Sequence, residues 1–361
     1  MQYHLVLTEI CNKRCSYCGG TRHIEGIPLQ VTYPIEDLIQ FLKRDPEPVI
    51  GFYGGEPLLA LDYMYEVMDK VPAKAFTLQT NATLLDKIDD RHLRRLHSIL
   101  VSIDGGREVT DSCRGEGIYD LVTKNLTEVE DRGYGGDVIA RMAFSKNGDI
   151  HRDVSHLLNL VRPYFDHVHW QLDVFWSELE SWSDLEGWLQ RYESGVTKLA
   201  TEFAESLKTG KPLGIVPFIP VFKTLLTGEE TPYIRCGSGS TSFAILTNGQ
   251  IEVCPIAPEL PYSNVGHIRS SDPGALRGVL PVGPPCTECD VLGVCGGRCL
   301  FSNQTMFWGE KWFNRICKTT KHMINELKRH VPLAEKLIKE GALEAEVFDY
   351  PEINNGCEII P

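Results

Sequence analysis

YHLVLTEICNKRCSYC, residues 3–18, is the stretch on which the reading of the chain turns. An apolar, strand-like run, Tyr3–Leu7, leads directly into Cys11, Cys15 and Cys18 at the spacing C-x3-C-x2-C. Three thiolates can hold three irons of a [4Fe–4S] cube, and a fourth would close it as in an electron-transfer site. The missing fourth ligand leaves one iron open to a small molecule, which implies chemistry at the cluster. The plainer alternatives are three core cysteines or a zinc knuckle with His23 as its fourth ligand, since structural zinc sites close with four Cys or His.

The rest of the chain narrows the choice. Its 361 residues allow two or three domains and a large core, and its 42% hydrophobic content is that of a globular protein. No run of 18 apolar residues is present, and MQYHLVLTEI lacks the basic-then-apolar order of a secretory signal. A cytoplasmic protein without a membrane span is expected. The formal charge of −13 argues against nucleic acid as a partner. Twelve cysteines without an export signal read as metal ligands before disulfides. They are clustered: three fall at 11–18, seven between 236 and 317, and only Cys113 and Cys357 stand apart.

From residue 1 to about 190, apolar strands alternate with helical stretches. Strands are predicted over Tyr3–Leu7, Val49–Tyr53, Ala75–Thr80, Ile99–Ile103, Val138–Phe144 and His167–Val174. Helices are predicted over Ile35–Leu42, Leu61–Val71, Asp86–Leu96, Leu121–Arg132 and Asp153–Val161, where apolar residues recur at 3–4 spacing. Alternating βα units imply a parallel sheet with right-handed crossovers. Six units are too few for a closed eight-fold barrel, so the expected class is α/β, a partial (β/α)6 barrel. Its site should lie in the loops at the C-terminal strand ends.

The polar motifs fall at those ends. Gly54-Gly55-Glu56-Pro57 follows the second strand, with glycines that permit close approach and a carboxylate suited to an ammonium group. Gln79-Thr80-Asn81 follows the third. Ser102 and Asp104 alternate onto one side at the end of the fourth, and Arg114 beyond them could clamp a carboxylate.

In this order, C-x3-C-x2-C, GGEP, QTN and SIDG resemble the radical S-adenosylmethionine (SAM) superfamily. The resemblance implies that SAM binds the open iron through its amino and carboxylate groups. It further implies that one electron breaks the C5′–S bond and that the resulting 5′-deoxyadenosyl radical takes a hydrogen from the substrate. It places Tyr17 near adenine and Gly54, Gly55 and Glu56 at the methionine amino group. Ser102, Asp104 and Arg114 match contacts to the ribose or carboxylate of SAM, and Asn81 joins them as a cofactor contact.

Residues 177–212 read as a helical connection, and the apolar Gly214–Leu226 as packing between domains. Beyond them, Ser242–Leu246, Asn248-Gly249 and Ile251–Val253 predict a β-hairpin that brings Cys236 and Cys254 to one end. Cys286-x2-Cys289-x5-Cys295-x3-Cys299 and Cys317 follow. Two zinc sites are the alternative, but the whole pattern, with Asn264-Val265-Gly266, resembles the SPASM domain of radical SAM enzymes. That resemblance gives one auxiliary [4Fe–4S] cluster to Cys286, Cys289, Cys295 and Cys317, and another to Cys236, Cys254 and Cys299. With the N-terminal cluster this makes three. Where fully ligated relatives place an extra cysteine, the stretch 237–248 here has none. The first auxiliary cluster is therefore expected to keep an open iron, unless Cys357 or Cys113 supplies the ligand.

The expected organisation is a radical SAM barrel over 1–190, a junction over 191–235, a cluster domain over 236–330 and a helical tail over 331–361 that packs across the cluster domain. The expected activity is modification of a ribosomally made, cysteine-containing peptide, with a thioether formed from a substrate thiol at the open auxiliary iron. The electron donor would be a ferredoxin or flavodoxin. Other peptide changes remain open: a carbon–carbon crosslink, epimerisation, dehydrogenation or a sulfatase-maturase-like oxidation. The last is disfavoured because Pro255 stands where those relatives carry an aspartate base. A third possibility is an electron-transfer module that does not turn SAM over. With ten residues before Cys11 and a short tail, leader recognition should be separate, minimal or absent.

Overall fold

A computed structural model describes residues 1–18, 24–160, 164–173, 182–258, 260–354 and 361. The barrel half runs β1 (Gln2–Thr8), α1 (Ile35–Leu42), β2 (Val49–Gly54), α2 (Leu61–Lys70), β3 (Ala75–Thr80), α3 (Asp90–Leu93), β4 (Leu96–Ser102), α4 (Arg107–Arg114), α5 (Ile118–Asp131), β5 (Asp137–Phe144), α6 (Ile150–Leu158) and β6 (His167–Leu172). The six strands pair in parallel in simple order, and helices cover the sheet's outer face, which makes a partial barrel. The strands form because apolar, β-branched runs such as Leu96–Ser102 are buried on both faces, as parallel sheets require. The helices bury one stripe each: Leu38, Phe41 and Leu42 on α1, and Val122, Leu126 and Val129 on α5.

Two elements differ from expectation. The helix predicted over Asp86–Leu96 breaks into a 3-10 turn at Leu85–Lys87 and the short α3, with Ile88 extended at ψ 131°. The cause is Asp89, whose side chain caps α3 by accepting from the His92 N–H at 2.9 Å and so starts a new helix. Leu96 then belongs to β4. Helix α4 falls outside the predicted helices because its buried face, Val109, Thr110, Cys113 and Arg114, recurs at helical spacing but holds only two apolar residues in a short, mostly polar segment. Val161 and Val174, the predicted ends of a helix and a strand, lie outside the described residues.

α7 (Leu185–Leu207) and α8 (Phe218–Thr227) follow. The apolar stretch from Gly214 packs: Phe218 and Phe222 meet Phe203 of α7 at 5.7 and 5.5 Å between ring centroids. Then come β7 (Ser242–Ile245), β8 (Gln250–Glu252), β9 (Asn264–His267), α9 (Pro273–Leu276), α10 (Leu292–Cys295), α11 (Leu300–Thr305), α12 (Gly309–Lys328) and α13 (Val331–Lys339). The hairpin forms at Asn248-Gly249, where Gly249 takes φ +87°. It does not stand alone. β7 pairs in parallel with β1, Gln2 to Ser242 through Leu5 to Ile245, and β8 and β9 extend the same nine-stranded sheet.

The tail packs on the helices that follow the barrel strands: the Phe348 ring centroid lies 5.1 Å from that of Phe222 on α8. Before the tail, Arg315 of α12 bridges Glu186 and Glu193 of α7. Asn354 closes the N-terminal strand ends: its amide donates to Asp137 at 2.7 Å and its carbonyl accepts from Ser98 at 2.7 Å. Among the described residues, no helix is long and apolar enough to cross a membrane.

Candidate active site

A cavity of about 710 Å3 opens at the C-terminal strand ends. Cys11, Cys15 and Cys18 line it from the loop after β1, and Cys236, Cys254 and Cys299 line it from the other half. None of these six thiols is joined in a disulfide among the described residues. They stand apart: among the described residues, no three His, Cys, Asp or Glu side chains converge on a point that could hold a single ion.

The first cysteine loop is held by backbone. The Gly55 N–H donates to the Thr8 carbonyl at 2.8 Å, and the Glu56 N–H to the Ile10 carbonyl at 2.9 Å. A Cβ on Gly54 would sit 2.3 Å from the Thr8 oxygen, and one on Gly55 2.4 Å from the Ile10 oxygen. The two glycines are thus required for the chain to lie against its own β1 loop, a need the sequence reading assigned to a ligand. Gly55→Ala is expected to cost about 3 kcal/mol, since backbone must shift to relieve the overlap. A denaturant midpoint lowered at unchanged slope would register it.

Glu56 is fully buried and does not line the cavity. Its carboxylate accepts from the Leu58 N–H (3.1 Å), the Thr80 hydroxyl (2.7 Å) and the Asn81 N–H (2.8 Å). Burial pushes its pKa up, and these three donors offset the effect only in part. Its side chain therefore ties the end of β2 to the end of β3, whereas Gly54 and Gly55 face the cavity. Asn81, at the end of β3, lines the cavity with its side-chain N–H 3.8 Å from the Cys11 sulfur.

Asp104 is likewise buried, 1% exposed, and turned away from the cavity. Arg114 grips it with two bonds of 2.8 Å, the Tyr17 hydroxyl donates to it at 2.6 Å, and the Ala143 N–H at 2.9 Å. Its four donors come from the cysteine loop, α4 and β5. The Arg114 guanidinium lies 5.5 Å from the centre of the Tyr17 ring. Burial alone would lower the Arg114 pKa, but the facing carboxylate outweighs it and holds the group charged. Ser102, Tyr17 and Arg114 reach the cavity wall; Asp104 positions the last two.

Cys286, Cys289, Cys295 and Cys317 do not line this cavity and form a second group, close enough to act on one another electrostatically. Burial pushes the Cys295 thiol up to about 12 and raises Cys286 and Cys317. Cys11 and Cys15 are raised for the same reason. Such thiols stay protonated at neutral pH unless a bound cation compensates the thiolate. Cys113 is buried on α4, and its carbonyl accepts from Ser16 N–H at 2.9 Å, so it belongs to the first loop. Cys357 and His23 lie outside the described residues.

Motif reading missed Arg141 on β5 and Gln171 and Asp173 at the end of β6, all in the cavity wall. Arg141 left a signal: a charge inside the apolar strand DVIARMAF.

With this geometry in hand, the comparisons are specific. Residues 5–152 match the Radical SAM superfamily, and that part of the chain is a radical SAM domain. An uncharacterized protein of Archaeoglobus fulgidus is 33% identical over 122 residues, 33% of this chain and 29% of that protein. The GTP 3′,8-cyclase of a Sulfurovum species is 30% identical over 139 residues, 36% of this chain and 42% of the cyclase. The matched stretch thus spans less than half the length of either relative. Among solved structures, native anSMEcpe with bound AdoMet and Cp18Cys peptide superposes with a TM-score of 0.70 at 17% identity, covering 93% of this chain and 99% of that one. Streptococcus suis SuiB bound to precursor peptide SuiA gives 0.55 at 16% identity, covering 82% and 71%. These two share the fold.

Proposed function

We propose that the protein is a radical SAM enzyme that modifies a cysteine-containing, ribosomally made peptide, forming a thioether. The observation that carries the proposal is the single cavity lined by Cys11, Cys15 and Cys18 on one side and Cys236, Cys254 and Cys299 on the other. A cofactor site and a second metal site facing one open cavity would suit a substrate held between them. Both solved structures named above contain a peptide by their own descriptions.

The residues fit the implied groups. Cys11, Cys15 and Cys18 are free thiols on one loop, three donors for a [4Fe–4S] cluster that binds SAM at the fourth iron. Gly54, Gly55, Asn81, Ser102, Tyr17 and Arg114 line the volume where SAM would lie. Cys286, Cys289, Cys295 and Cys317 supply four donors to one auxiliary cluster, and Cys236, Cys254 and Cys299 three to the other. When bound, the cluster and SAM would supply a 5′-deoxyadenosyl radical that takes one hydrogen atom from a substrate carbon; the thiol proton would go to solvent, and an auxiliary cluster held by the second group of cysteines would accept the electron left when the C–S bond forms. The chain's part is to fix the loop through Gly55 and Glu56, to aim Tyr17 and Arg114 through Asp104, and to wall the site from water. Cys113 lies on α4 with its carbonyl against the Ser16 N–H of the first cysteine loop, which supports a second site of three cysteines with room for a substrate thiol; Cys357 is the alternative fourth ligand. Pro255 in the wall offers no base, consistent with bond formation in place of a base-assisted oxidation.

The test is anaerobic co-expression with the peptide encoded beside this gene, a ferredoxin or flavodoxin as donor, and mass spectrometry. A product lighter by two hydrogens, with the cysteine no longer alkylatable, is expected. An unchanged peptide with ongoing 5′-deoxyadenosine release would refute thioether formation, and an alkylatable product would shift the assignment to another peptide modification.

A further inference from the structure

Arg141 sits inside the barrel on β5, in register with Ser102 of β4 and His169 of β6. It is 7% exposed and lines the cavity. Its Nε has neither solvent contact nor a hydrogen-bond partner. Its one hydrogen bond runs from Nη1 to the carbonyl of its own neighbour Met142, at a long 3.4 Å. The contrast with Arg114 is direct, since Arg114 meets Asp104 through two bonds of 2.8 Å. Asp173 shares the cavity wall, but its carboxylate accepts from Ser145 at 2.7 Å, and no ion pair joins it or another acid among the described residues to Arg141.

An arginine cannot shed its charge, and burying that charge without a partner is costly. A guanidinium presents a planar fork that matches a carboxylate. A chain that keeps such a group facing a cavity has a site for an anion that arrives from outside. Two places could supply one: the cofactor and the substrate. Ala143, two residues further along β5, reaches the Asp104 layer beside the cysteine loop through its N–H. Arg141 lies two residues below, about 6–7 Å deeper along the strand. The amino-acid end of SAM belongs at the cysteine loop, where Arg114 already stands.

We propose that Arg141 binds a carboxylate of the peptide substrate, so that the enzyme selects peptides carrying an acidic side chain or a free C-terminus near the modified residue. The inference rests on the peptide reading above. The group is a specificity residue: it orients the substrate by a charged fork at the barrel wall and leaves the reacting atoms to the cysteine loop.

Anaerobically loaded, immobilised enzyme with SAM is offered a synthetic library of cysteine-containing heptapeptides, and retained peptides are read by mass spectrometry. The library pairs Asp with Asn, Glu with Gln, and free with amidated C-termini. Wild-type enzyme should enrich the acidic member of a pair about tenfold, the worth of one charge-assisted pair. Which pairs respond identifies the side chain or the terminus as the source. Arg141→Met should erase the preference, Arg141→Lys should keep part of it, and both should bind SAM as the wild type does. The Arg141→Met chain should also melt no lower than wild type without peptide, because it removes a buried charge that no acid meets. Retained peptides without acid preference would overturn the inference while leaving the peptide reading intact. Loss of SAM binding in Arg141→Met would assign the residue to the cofactor, and a clear drop in melting temperature would make it structural. Retention of no peptide by the wild type would sink the peptide reading itself, and this inference with it.

Discussion

Replacing Cys11, Cys15 and Cys18 together by serine is expected to remove about four iron atoms per chain, one cluster's worth, and to bring 5′-deoxyadenosine formation down to the level without enzyme. The three side chains hang on one loop and line one side of the cavity, so their loss strips that side and leaves the others intact. Cys254→Ser gives the contrasting result. Its removal should cost a similar amount of iron, leave SAM cleavage running, and stop formation of the modified peptide. Iron and sulfide analysis with chromatographic measurement of deoxyadenosine separates the two variants. If the triple variant kept the wild-type iron content, the cluster would lie elsewhere. Zinc in place of iron in the anaerobically prepared wild type would defeat the whole scheme.

Asp104→Ala is expected to lower stability by about 3–5 kcal/mol, because it strands a buried, permanently charged arginine. The same change leaves the Ala143 N–H and the Tyr17 hydroxyl without an acceptor. Adding Arg114→Met should restore part of the loss, since the uncompensated charge goes with it. A double-mutant cycle measured by chemical denaturation, followed by circular dichroism on anaerobic protein, reports the coupling. A coupling near zero would mean that Asp104 and Arg114 do not support one another. SAM binding should weaken in both variants, because Arg114 and Tyr17 reach the cavity only from the positions that Asp104 holds.

Much of the barrel could be read from the sequence because each strand is a short apolar run closed by polar residues, as Ala75–Thr80 and Ile99–Ile103 are. The cysteines announced themselves by spacing. What the sequence concealed is mainly a matter of partners. Glu56 and Asp104 stand at strand ends among motif residues and look like ligand contacts. Only the fold shows three donors converging on one carboxylate and four on the other, which turns both into struts. Gly55 looks like a clearing for a ligand, yet the neighbour it clears is the Ile10 carbonyl. The helix expected from Asp86 fails at Asp89 because a side chain that caps a helix is a weak signal inside an amphipathic run. The pairing of β7 with β1 joins residues about 240 positions apart, and no local pattern encodes it.

That pairing also sets a mechanical limit. β1 runs into the loop that bears Cys11, while β7 and β8 lie between Cys236 and Cys254. Four consecutive residue pairs stitch β1 to β7, so the two sets of sulfurs are mounted on one girder instead of on two hinged plates. The separation between the two groups of cysteine sulfurs is therefore set by main-chain pairing. Traffic in and out must pass through the rim loops, because gaping the halves apart would mean tearing a ladder of main-chain bonds.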